Sequence, residues 1–125
     1  MKLHNTQFEG DIFIPENYHH LQFLVLNSNP NIKNIYFQGS NPISTLEIAQ
    51  NGITSINSSF QNLRALKRIE ISGNQLTDID LSYFSSLKTI DLSTNPISTD
   101  KIDSLRLKYP NIDIVCYDYD EKVKQ

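Results

Sequence analysis

His19 and His20 stand side by side with His4 farther upstream, and besides the carboxylates they are the residues of a metal-ligating type. A protein-bound cation needs several ligands converging from different directions, whereas two neighbours on a turn diverge. Cys116 is the single cysteine, which excludes an internal disulfide and a cysteine-cluster metal site. It closes the alternating run Ile112-x-Ile114-x-Cys116, where it reads as a small buried hydrophobe rather than a nucleophile. The chain has no glycine-rich phosphate loop, no G-x-S-x-G turn and no Cys–His pair at a meaningful spacing. The expectation is therefore no metal, no cofactor, no catalytic residue and no enzyme.

Composition narrows the remaining classes. The 125 residues are 38% hydrophobic, sufficient for one packed core and too few for two. That supply is 16 Ile and 13 Leu against 2 Ala, which argues against an Ala-rich helical bundle. Asn and Ser contribute 13 each in a chain with only 20% charged residues, so the polar positions read as turn formers inside a folded chain. A net charge of −3 leaves no basic surplus to neutralise phosphates, which excludes a nucleic-acid or acidic-membrane partner. No 18-residue apolar run occurs and the first seven residues carry no apolar stretch, so the expected location is cytoplasmic.

The elements that must position any functional residue come from a repeat. Leu66-Lys67-Arg68-Ile69-Glu70-Ile71-Ser72-Gly73-Asn74-Gln75-Leu76 reads L-x-x-L-x-L-x-x-N-x-L, with Ile allowed for Leu. Residues 87–97 and 43–53 fit every fixed position of the same pattern, and Leu21 to Asn29 keeps its first half. The first strand residues Leu24, Leu46, Ile69, Ile90 and Ile112 are separated by 22, 23, 21 and 22 residues, a period of about one solenoid coil.

These residues resemble the leucine-rich-repeat family over roughly Ile12 to Tyr117. The resemblance implies an α/β fold, a right-handed solenoid forming a horseshoe segment. Each L-x-L would be a short strand of a parallel sheet on the concave side, with helical, 3₁₀ or extended segments returning along the convex side. Period-two alternation in Ile69-Glu70-Ile71 and Ile90-Asp91-Leu92 independently puts aliphatic residues inward and acids in water. Asn51, Asn74 and Asn95 are expected to form a ladder, their amides bonding backbone groups of neighbouring coils. Phe60, Leu63 and Leu66, recurring as Phe84 and Leu87, are expected to fill the coil interior.

The whole chain, 1–125, reads as a single domain. Residues of about 8–20 form an N-terminal cap, 21–97 the repeats, 98–117 a C-terminal helix and capping strand, and 118–125 a tail that covers the open sheet edge. Ile35-Tyr36-Phe37 lies too close to its neighbours for a coil of its own and is placed on the convex side. Ser98-Thr99-Asp100 offers an N-cap to a helix over 101–109, stopped by Pro110.

Stacking the copies in register aligns Val25, Glu47, Glu70, Asp91 and Asp113 on the concave face, where the resemblance implies that proteins dock. Adjacent carboxylates on strands about 4.8 Å apart repel by roughly 0.8 kcal/mol per pair in water, which Arg68, Lys67 and Lys88 partly offset. The expected partner-binding set is Phe23, Val25, Glu47, Arg68, Glu70, Lys88, Asp91 and Asp113, an acidic stripe suited to a basic protein segment. A solvated mixed-charge face without a partner is the plainer reading of the same residues. The expected state is a monomer, and the alternative function is a scaffold subunit or a small toxin-neutralising or effector-type protein associating through the solenoid ends, around Ile12 and Ile114.

Overall fold

The computed structural model describes residues 10–16 and 20–117. Among the described residues, seven short strands, two 3₁₀ turns and one α-helix follow one another: β1 (Gly10–Ile14), β2 (Phe23–Val25), β3 (Ile32–Phe37), β4 (Thr45–Glu47), β5 (Arg68–Glu70), β6 (Thr89–Asp91), α1 (Thr99–Lys108) and β7 (Asp113–Val115). The 3₁₀ turns span Ser58–Asn62 and Leu81–Tyr83, on the return paths after β4 and β5.

The strands form two parallel sheets. β2, β4, β5, β6 and β7 make the larger one in that order, and β1 pairs with β3 in the smaller. Neighbours β4 and β5 are more than twenty residues apart in the chain, so each strand is joined to the next by a full coil. Leu24, Leu46, Ile69, Ile90 and Ile114 are direct partners across the larger sheet, and all five are buried. They form one row of a continuous aliphatic core, completed by Leu26, Ile48, Ile71 and Leu92 two residues later.

Polar groups that the coils remove from water are paired by asparagines. The Asn74 side chain accepts from Asn51 N at 3.1 Å and Ile53 N at 3.2 Å, and its Nδ2 donates to Ile48 O at 2.9 Å and Ile71 O at 3.0 Å. Asn51 repeats this one coil earlier, accepting from Asn29 N at 2.8 Å, and Asn95 one coil later, accepting from Leu76 N at 3.1 Å. The expected ladder is present, and Asn29 joins it. The residue before each ladder asparagine has a left-handed backbone: Ser28, Gln50, Gly73 and Thr94, with φ between 56° and 69°.

On the return side, Phe37, Phe60 and Phe84 stack edge to face, with ring centroids 4.9 and 6.3 Å apart. Ile35-Tyr36-Phe37 belongs to β3, outside the larger sheet, as its spacing implies. β3 is not extended by a third strand, because the next coil meets its edge with side chains. Asn57 Nδ2 donates to Ile35 O at 2.7 Å, Asn62 Nδ2 donates to Phe37 O at 2.8 Å, and Phe37 N donates to Ser59 Oγ at 3.0 Å. Asn57 also caps its own turn by accepting from Ser59 N.

The N-terminal strand runs parallel to β3 in the smaller sheet, with Ile12 opposite Ile35 and Ile14 opposite Phe37. One expectation at the C-terminal end is corrected. In β7 the residue in register with Ile90 is Ile114, not Ile112. The coil before it is longer because α1, not a 3₁₀ turn, carries the chain back; its N-cap Ser98 accepts from Lys101 N at 3.3 Å, and Ile102 and Leu105 are buried. Cys116 is buried, as the alternation implies. The segment at Phe8 and Glu9, His4, His19 and the tail 118–125 lie outside the described residues.

Candidate functional site

In each strand of the larger sheet the central aliphatic residue points to the core, so the residues before and after it belong to the opposite face. Pairing across the strands sorts that face into two rows. The first holds Phe23, Thr45, Arg68, Thr89 and Asp113, and the second holds Val25, Glu47, Glu70, Asp91 and Val115. A third set lies at the strands' starting margin, where exposed Lys67 and Lys88 immediately precede β5 and β6. The Lys88 N–H donates to Lys67 O at 2.8 Å, which fixes the two lysines on adjacent rungs.

Three of the expected acids meet. Glu47 is opposite Glu70 and Glu70 is opposite Asp91, on three consecutive strands. The fourth does not join them: Asp113 pairs with Thr89 and stands in the Arg68 row, because β7 is shifted by two residues from the expected register. Val25 is in the acidic row but only 6% exposed, with Leu24 and Leu26 on either side also buried. Three consecutive apolar residues are buried together only where a strand is covered on both faces, so Val25 is covered and is not an open apolar contact. Phe23 is 56% exposed and remains on the open face.

Backbone donors hold the acids in place. Glu70 Oε1 accepts from Ser72 N at 2.9 Å, and Asp91 Oδ1 accepts from Ser93 N at 2.9 Å, so both carboxylates curl over the turn that follows their strand. Arg68 Nη1 lies 4.0 Å from Glu47 Oε1 across the β4–β5 pair, a loose and exposed ion pair. Burial pushes the Glu70 carboxyl above the usual 4.5; the Ser72 hydrogen bonds oppose this, and the neighbouring Asp91 charge and its hydrogen bond reinforce it.

The end of the sheet is also occupied by charge. The ladder to β6 uses Asp113 N and Val115 O, which turns Ile114 O toward the open edge. Arg106 of α1 reaches over that edge and donates to Ile114 O from Nη2 at 2.8 Å and Nε at 3.3 Å. Lys88, Arg106, Ile112 and Asp113 line a shallow groove of about 520 Å³ beside it. Composition and spacing do not signal this arginine; only the crossing of α1 over β7 does. Arg68 is expected on this face, whereas its pairing with Thr89 and, through β7, with Asp113 is not.

Among the described residues no three of His, Cys, Asp and Glu are grouped to hold a metal ion, and no helix is long and apolar enough to cross a membrane. Residues 41–97 match a family model described as Leucine rich repeat. Over this span the chain is similar to the leucine-rich-repeat family. The matched span contains β4, β5 and β6, hence all three stacked acids, Arg68 and both margin lysines. No curated protein matches the chain. Leucine-rich-repeat domains generally mediate protein–protein interaction and are typically non-catalytic.

Proposed function

We propose that this chain is a non-catalytic, cytoplasmic binding module of the leucine-rich-repeat family that works as one domain and holds a protein partner on the concave face of its larger sheet. The observation that carries this reading is the row Glu47–Glu70–Asp91. Three acids on adjacent rungs are maintained despite mutual repulsion, and two of them are fixed by backbone donors. Charges ordered in this way steer and orient a partner of opposite sign more than they stabilise the fold. Phe23 adds an exposed aromatic contact in the neighbouring row, and Arg68, Lys88 and Asp113 border the acids.

The test is partner capture from the source cell with wild-type protein and the double variant Glu70→Lys/Asp91→Lys. Two reversed contacts, each exposed pair contributing up to about 1 kcal/mol, should weaken capture by roughly tenfold or more while the melting curve stays cooperative. Undiminished capture by a folded double variant rejects the reading.

A further inference from the structure

The outer edges of the two sheets are not treated alike. Asn57, Ser59 and Asn62 bond the edge of β3, Arg106 caps Ile114 O on the edge of β7, and Val25 of β2 is buried. An uncovered edge is a template for another strand, and folded proteins block the edges they do not use. Among the described residues β1 is the exception. The Gly10 N–H donates to Asn31 O at 2.8 Å and Ile14 O accepts from Gln38 N at 2.8 Å, so the alternation of a parallel ladder directs Ile12 to β3 as well. The N–H and C=O groups of Asp11 and Phe13 therefore face outward, and no described residue bonds them. Gly10, Asp11 and Phe13 are all exposed.

The side chains along that edge determine what fits it. Asp11 and Phe13, two residues apart, share one face of β1, in register with Asn34 and Tyr36 of β3. Asn34 Nδ2 donates to Asp11 Oδ1 at 3.0 Å, and the carboxylate keeps further acceptor capacity for a second donor on its open side. Among the described residues no cation pairs with Asp11. The Phe13 and Tyr36 rings stack with centroids 5.2 Å apart and planes 16° from parallel. Tyr36 covers one face of the Phe13 ring, and the other, on a side chain 55% exposed, lies toward the open edge. We infer that β1 accepts an extended segment of a partner protein as a third strand of the smaller sheet, with Lys or Arg beside Asp11 and an aromatic residue beside Phe13. Backbone pairing supplies the attachment, and the two side-chain contacts select the sequence.

The full chain is titrated, with amide NMR as the readout, with short synthetic peptides carrying Lys-x-Phe or Phe-x-Lys in a Thr/Ser background, the orders that parallel and antiparallel addition require. At least one of them is expected to bind and to shift the Asp11 and Phe13 amides. Phe13→Ala is expected to weaken that peptide by about twofold to tenfold and Asp11→Lys by up to about fivefold. A peptide with Glu in place of Lys is expected to regain on Asp11→Lys what the Lys peptide loses. Both positions are exposed, so the melting curves of the variants should match wild type. N-methylation of alternate peptide residues is expected to abolish binding in one frame and spare it in the other, because only every second amide faces β1. The acidic row of the larger sheet takes no part, so Glu70→Lys/Asp91→Lys is expected to bind the peptide as wild type does. The inference is overturned when neither peptide binds, when the two methylation frames behave alike, or when the charge swap brings no recovery. It is also overturned when the chain alone self-associates with shifts at Asp11 and Phe13, which would give the edge to a second copy.

Discussion

Replacing Asn74 by alanine removes the central rung of the asparagine ladder, and the hydrogen bonds fix the size of the effect. The Asn74 side chain is buried, accepts two backbone N–H groups and donates to carbonyls of two coils. The carbonyls keep a partner without it: Ile48 O still accepts from Asn51 Nδ2 at 2.9 Å and Ile71 O from Asn95 Nδ2 at 3.0 Å. Asn51 N and Ile53 N lose the acceptor they have, and each buried unpaired donor costs about 1–3 kcal/mol. Asn74→Ala should therefore destabilise the chain by about 2–6 kcal/mol, a large share of a stability of about 5–15 kcal/mol. Asn95 accepts from one backbone N–H, Leu76 N, and is only partly buried, so Asn95→Ala should cost about 1–3 kcal/mol. Urea unfolding of both variants, with unchanged m-values, reads these costs from the midpoints. An Asn74→Ala penalty equal to or below that of Asn95→Ala would refute the idea that the ladder's stabilisation lies in its shared acceptors.

Phe60 touches Phe37 on one side and Phe84 on the other, so Phe60→Ala should cost about 3–5 kcal/mol and more than Phe84→Ala, measured by the same midpoints. Gly73 has φ +69° and a Cβ there would meet Gln50 Cγ at 3.1 Å; Gly73→Ala should cost about 1 kcal/mol in denaturant unfolding. Because the Glu70 carboxyl is raised in the folded state, the folded chain holds that proton more tightly than the unfolded chain. Stability from this group is thus present at low pH and is lost as pH rises from the unfolded value near 4.5 through the folded value. Glu70→Gln should remove that falling limb and raise stability at pH 7, read from urea midpoints across pH; a less stable variant at pH 7 contradicts it.

The parts of the fold legible in sequence are those where one residue per coil recurs in one environment. Leu24, Leu46, Ile69 and Ile90 announce their own register because each sits in an L-x-L segment followed by an asparagine, and the pairing is as the spacing implies. β7 lacks that asparagine. In Ile112-x-Ile114-x-Cys116, period-two alternation is satisfied equally by two registers, and a constant coil length favours the wrong one. The ten-residue α1 lengthens the coil, and Asp113 consequently leaves the acidic row for the row of Arg68. The pairing of β1 with β3 and the capping of β3 by Asn57, Ser59 and Asn62 are choices of partner, which a local pattern does not encode. Val25 lies in the expected row but is buried, for a related reason: its burial depends on what covers β2, not on its own strand.

The most direct test of the in-register acidic row is the carboxyl titration of Glu70, followed by carbon-detected NMR in wild type, Asp91→Asn and Asp113→Asn. The strand pairing places Asp91 beside Glu70 and puts Asp113 in a different row, two strands away. Glu70 should titrate above the ordinary glutamate range in wild type, move down when Asp91 is neutralised, and stay where it is when Asp113 is neutralised. A Glu70 titration that ignores Asp91, or that follows Asp113 instead, would contradict the stacking on which the binding face depends.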